Sequence, residues 1–135
     1  MTSRRHRGRE LALRVLFELE GTQKDATEAL RYQADDIGAT DDVAAFARQL
    51  VVGVLEQGEQ VDDSIEAASS NWRLEGIGKV ERAVLRLGAY ELLFLGDTPV
   101  SVVIDEAVEL SKAYAGAEAA SFVNGVLGRI ASERV

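Results

Sequence analysis

Apolar residues recur along most of this chain at spacings of three and four, the repeat of a helix that buries one side. Leu11, Ala12, Val15, Leu16 and Leu19 share one face of a predicted helix over 4–20, and Gly21 supplies a stop. A thinner helix is predicted over 25–37, where Ala26, Leu30, Gln33 and Ile37 keep the spacing until Gly38. A third begins at Thr40 or Asp41, either of which can accept hydrogen bonds from free amides, and carries Val43, Ala47, Leu50, Val51, Val54 and Leu55. Gly58 marks a bend, Val61, Ile65 and Ala68 resume the pattern, and Ser69, Ser70 and Asn71 interrupt it. After a loop framed by Gly76 and Gly78, a helix over 79–95 has apolar residues on two sides, Val80, Val84 and Leu87 on one and Leu85, Leu92 and Leu95 on another. Such a helix belongs at the centre of a bundle.

Thr98 and Pro99 restart the chain, since Thr98 can cap and Pro99 suits a first helical turn that needs no amide hydrogen. The run 100–104 resembles a strand, but Ile104, Ala107, Leu110 and Tyr114 continue a helical repeat. A last helix is predicted over 118–134, with Ala119, Phe122, Val123, Val126, Leu127 and Ile130 on one face. The pattern therefore predicts an all-α protein, and 135 residues suit one compact domain. No apolar run reaches the roughly 18 residues of a membrane span, which places the chain in the cytoplasm as an expectation.

Charge adds what periodicity cannot. Arg4, Arg5, Arg7, Arg9 and Arg14 crowd the first fourteen residues with only Glu10 opposing them, yet the whole chain has a net charge of −8. A basic segment on an acidic body can hold a polyanion locally, and arginine can both clamp phosphate and stack on a base. A frayed terminus without a role is the alternative. Phe17 lies about 160° around the wheel from the centre of the first helix's core face, where it can stack on an unpaired base or be buried by a second packing partner. Lys79, Arg82 and Arg86 form a basic stripe on the central helix, which either tracks phosphates or is a solvated face paired with Glu75 and Glu81.

The chain has no cysteine and one histidine, His6, so thiolate chemistry is excluded and imidazole chemistry has little material. Asp105, Glu106 and Glu109 read as a solvated or partner-facing cluster, and the doublets Asp35-Asp36, Asp41-Asp42 and Asp62-Asp63 as caps and solubilising groups. No enzyme activity, cofactor or metal is expected.

Four stretches carry a family resemblance: Arg4 through Ala12, Lys79 through Leu87, Pro99 through Lys112, and Phe122-Val123-Asn124-Gly125-Val126-Leu127. In this order and spacing they resemble the bacterial transcription antitermination factor NusB. The resemblance implies about six to seven helices in two small helical subdomains, about 4–70 and 72–135, with a basic arm over 1–14. It also implies binding of boxA RNA in ribosomal RNA leader transcripts together with NusE, a small-subunit ribosomal protein, and assembly on RNA polymerase to suppress premature termination. Carried over by position, Arg5, Arg7, Arg9, Phe17, Arg82, Arg86, Phe122 and Asn124 would contact RNA, and Glu81 and Glu118 would face NusE. Phe17 stands where relatives often carry tyrosine, and His6 where they often carry arginine. Self-association into a homodimer that covers the RNA face, through Phe17 and Leu13, stays open. Two rivals remain: a protein-only helical adaptor, and a stand-alone relative of the RNA-binding domain of ribosomal RNA cytosine methyltransferases.

Overall fold

A computed structural model describes residues 3–70 and 72–133, and its order is seven α-helices with two short irregular turns. The helices are α1 (Arg4–Leu19), α2 (Ala26–Ile37), α3 (Asp41–Glu56), α4 (Gly58–Ala68), α5 (Lys79–Tyr90), α6 (Val100–Ala115) and α7 (Ala117–Glu133). There is no strand among the described residues, and no helix is long and apolar enough to cross a membrane. Asn71 and Arg134, at the predicted break and the predicted end of the last helix, lie outside the described residues.

The predicted stripes are the core. Leu11, Val15, Leu50, Val61, Ile65, Leu85, Val123 and Leu127 lose essentially all contact with solvent, which is the main stabilising term for such a bundle. α5 is central as its two-sided pattern requires, packing on α1, α3, α4, α6 and α7. α1, α2 and α3 pack together at one end, and α6 and α7 form an antiparallel pair at the other. α4, which falls before the interruption at 69–71, packs more on α5 and α7 than on α3. Gly53 on α3 permits close approach of α5, because a Cβ there would come within 2.0 Å of the Tyr90 ring.

Three local expectations are revised. Thr40 does precede α3 but makes no side-chain cap, its hydroxyl donating instead to Asp42 Oδ1. Pro99 is the cap residue of α6, one position before the first turn, and Thr98 donates to Asp97 Oδ1 at 3.5 Å. The helix predicted over 79–95 changes winding after Tyr90, where Glu91–Leu95 form a wider π turn. That turn aims Glu91 and Leu92 inward and leaves Leu93 and Phe94 exposed.

α2 is held differently from the rest. Ala29 is its single fully buried residue, Leu30, Ala34 and Ile37 pack on the core only partly buried, and polar links to α1 supplement this thin apolar contact. Arg14 Nε donates to Gln33 Oε1 at 3.0 Å, Gln33 Nε2 to Glu18 Oε1 at 2.8 Å, and Arg7 Nη2 to the Ile37 carbonyl at 3.1 Å. The left-handed conformation that closes α2, φ 64° at Gly38, is one that glycine adopts without a Cβ penalty.

Candidate nucleic-acid and partner interface

The basic segment is not a free arm. Ser3 caps α1 by accepting from the His6 amide, so the arginines leave the helix from its first turns in fixed directions. Arg4 Nη1 pairs with Asp42 at 2.9 Å, Arg5 Nη1 with Asp97 at 3.8 Å, and Arg14 Nη2 with Asp36 at 2.7 Å. Arg4 and Arg5 remain accessible, with side chains 84% and 52% exposed. Arg5 also lies over the Phe46 ring, 4.6 Å from its centre, a favourable approach of a cation to the ring face.

Arg9 has a different place from the one predicted for an RNA contact. Its side chain is 4% exposed, and Nε and Nη2 donate to the two oxygens of Glu91 at 2.7 and 2.8 Å. Nη1 reaches Glu106 Oε1 at 3.4 Å, and Glu106 Oε2 also meets His6 Nδ1. Burial alone would lower the Arg9 pKa, but the Glu91 hydrogen bonds and the charges of Glu91 and Glu106 more than offset it, so the pKa is raised and the guanidinium stays charged. A forked pair of this kind needs its planar geometry. Arg9 thus joins α1 to the π turn and α6, and the carboxylate cluster on α6 turns Glu106 inward instead of presenting it to solvent.

The basic stripe on α5 is also committed. Arg82 grips both oxygens of Glu20, with Nε to Oε2 at 3.0 Å, and donates to the Ile77 carbonyl. Arg86 donates to Glu20 Oε2 at 2.7 Å and to Asp62 Oδ1 at 2.9 Å. These bonds hold Glu20 well below the usual carboxylate range, the hydrogen bond from Arg82 contributing most. Arg82 and Arg86 therefore fasten the end of α1 and the side of α4 to α5. Lys79, the third member, is exposed and its ammonium sits 4.2 Å from the centre of the Phe17 ring.

Phe17 is 40% exposed, the accessible one of the two placements its off-core position allows, whereas Leu13 beside it is buried. Phe17 and Lys79 line a cleft of about 810 Å³ whose walls include Arg14, Tyr32, Gln33 and Tyr114. The cleft offers aromatic surface flanked by cations. Tyr114 donates to Glu10 at 2.8 Å, and burial, reinforced by that carboxylate, raises its pKa so that it stays protonated.

A second, smaller cleft of about 230 Å³ brings together Phe122, Glu81 and Glu118 with Trp72. Trp72 is 53% exposed and meets Phe122 edge to face, the ring centres 6.3 Å apart. Glu118 and Phe122 share a side of α7, being four residues apart. Asn124 is exposed but lies about 160° around the helix from Phe122, so the two do not face one cleft. Sequence reading missed Trp72, Phe46 and Glu91. Glu91 had a signal, since it continues the Val84, Leu87 spacing into a turn with no polar side left.

A seven-helix bundle with a central helix, an arginine-bearing first helix locked by carboxylates, and two aromatic clefts defines a class of small all-helical binding domain. The chain belongs to the NusB family, which it matches over residues 6–132. It is 43% identical over 130 residues to the transcription antitermination protein NusB of Bacillus licheniformis, covering 96% of this chain and 98% of that one. It is 41% identical over 129 residues to the protein of the same name from Heliobacterium modesticaldum, covering 96% of this chain but 63% of that longer protein. Among solved structures, the fold superimposes with a TM-score of 0.91 and 30% identity on a chain of the crystal structure of antitermination factors NusB and NusE in complex with dsRNA, over 99% of this chain and 100% of the other.

Proposed function

We propose that this protein is a transcription antitermination factor that binds the boxA element of ribosomal RNA leader transcripts together with NusE and joins the antitermination complex on RNA polymerase. The observation that carries this reading is the fit of nearly the whole chain to a chain of the NusB, NusE and RNA complex. Within it, Phe17 and Lys79 supply a stacking surface with an adjacent cation for one unpaired base. Arg5, on the same helix, and the exposed Arg4 beside it supply phosphate contacts, and the half-buried Arg7 adds one from the part of its guanidinium not given to the Ile37 carbonyl. Phe122, with Trp72 beside it, offers a second aromatic surface, and Glu81 and Glu118 in that cleft suit a basic protein such as a ribosomal protein. Arg9, Arg82 and Arg86 act by positioning, and Asn124, on the far side of α7, is assigned no base.

The test is binding of a boxA-like RNA and a scrambled strand of equal length, at several salt concentrations, with and without purified NusE. Preference for boxA and a gain on adding NusE are the expected results. Equal affinity for the two strands overturns sequence recognition, and indifference to NusE overturns the cooperative part. Capture of NusE without any RNA affinity would favour the protein-only adaptor.

A further inference from the structure

His6 leaves the first turn of α1 toward α6, where Glu106 and Glu109 stand on one side of the helix, three residues apart. One imidazole nitrogen and one oxygen from each carboxylate lie within 4.8 Å of one another. We propose that these three side chains form a site for a single borderline divalent cation, Zn2+ before Mg2+ or Ca2+, that clasps the start of α1 to α6.

Charge favours a cation there. Arg9 is the nearest guanidinium, but it is spent on Glu91, to which it makes two bonds at 2.7 and 2.8 Å against 3.4 Å to Glu106. Glu106 and Glu109 bring two carboxylates to the cluster, and Arg9 gives Glu106 only a long contact, so a divalent cation would find negative charge to offset there. The donor set decides the kind of ion. Imidazole nitrogen and carboxylate oxygen are both ligands that zinc accepts, and three of them leave a remaining position for water, whereas magnesium and calcium favour sets made of oxygen alone.

Geometry allows the exchange. His6 Nδ1 already meets Glu106 Oε2, so an ion entering between them replaces one hydrogen bond with two coordinate bonds, and any proton shared between them is released. The half-buried His6 and Glu106 are brought together by their helices and need only part by side-chain rotation to admit the ion, and the exposed Glu109 side chain is free to close the site. Because the ligands come from helices a hundred residues apart in sequence, the ion stabilises only the folded chain and raises its melting temperature.

The experiment is calorimetric titration of the full chain with ZnCl2 and separately with MgCl2, repeated for Glu109→Gln and His6→Ala. Cobalt substitution supplies a second readout, since Co2+ in a site of low coordination number absorbs visible light far more strongly than the weakly coloured hydrated ion. One equivalent of zinc should bind saturably, with magnesium far weaker, and each substitution should weaken zinc binding by about tenfold or more, in line with the loss caused by removing even an outer-shell partner. Glu109 is exposed and unpaired with Arg9, so E109Q tests the site even if H6A perturbs the start of α1. Absence of saturable zinc binding, binding unchanged in E109Q, or equal affinity for magnesium overturns the proposal.

Discussion

At the scale of single residues, the Arg9 and Glu91 pair has the largest consequence. Both side chains are almost fully withdrawn from water, and each satisfies the other with two bonds. Removing one partner strands a buried charge, so Arg9→Ala should destabilise the fold by about 3 to 5 kcal/mol, measured by urea denaturation with far-UV circular dichroism. Replacing both residues together, as in Arg9→Met with Glu91→Leu, should recover most of that loss, because a well-packed apolar pair avoids the desolvation cost. Equal losses in the single and double variants would mean that Arg9 acts instead through Glu106 or through the Phe46 ring, whose centre lies 5.5 Å from its guanidinium. The burial of Arg9 had a trace in the sequence: it precedes Ala12, Leu13 and Leu16 by three, four and seven residues, the spacing of one inward face. The identity of Arg as the residue type, and its place in a run of arginines, pointed outward and masked that spacing. Phe17 shows the reverse limit: its angular position fitted exposure and burial by a second partner equally, and only the packing of the neighbouring helices leaves it 40% exposed.

At the scale of elements, α2 and the end of α1 combine a thin apolar contact with a dense set of polar ones. With one buried residue, α2 should open at lower free energy than α3 or α5, and amide hydrogen exchange should show its protection falling first. Protection in α2 equal to that in α5 would contradict this. Glu20 gives the junction of α1, α4 and α5 a pH dependence whose sign is fixed by its depressed pKa. The stabilisation is fully present above an ordinary carboxyl pKa of 4.5 and is lost as pH falls through the lower folded value. Denaturation midpoints of the wild type and Glu20→Gln should therefore differ at neutral pH and converge on acidification, and a gap that is constant with pH would refute the assignment. Helix existence was legible from periodicity because burial follows the stripe. The π turn was not, since its residues satisfy an α-helical pattern equally well until Glu91 must find Arg9, 82 residues earlier in the chain.

At the scale of the whole molecule, the core and the centrality of α5 were legible, while the use of charge was not. Periodicity is a local property, but every pairing of an α1 arginine reaches at least 19 residues along the chain. Each acidic doublet that read as a cap or solubiliser supplies one member to an arginine: Asp36 to Arg14, Asp42 to Arg4 and Asp62 to Arg86. The carboxylates around α1 are thus built-in counterions. An RNA phosphate that takes Arg4 or Arg5 exchanges with Asp42 or Asp97 and releases a carboxylate that cannot diffuse away, in place of a mobile salt ion. The freed carboxylate stays beside the phosphate as a fixed negative charge, so fewer of the cations condensed on the RNA are released than the number of phosphate contacts suggests, and the slope of log affinity against log salt should be shallower than about 0.7 per contact for a single strand. Asp42→Asn and Asp97→Asn should steepen that slope and tighten RNA binding at low salt; an unchanged slope would mean that these pairs do not compete with RNA. Far from merely gripping a polyanion, the first helix carries its own resident competitor, which sets how strong a ligand must be before it is held.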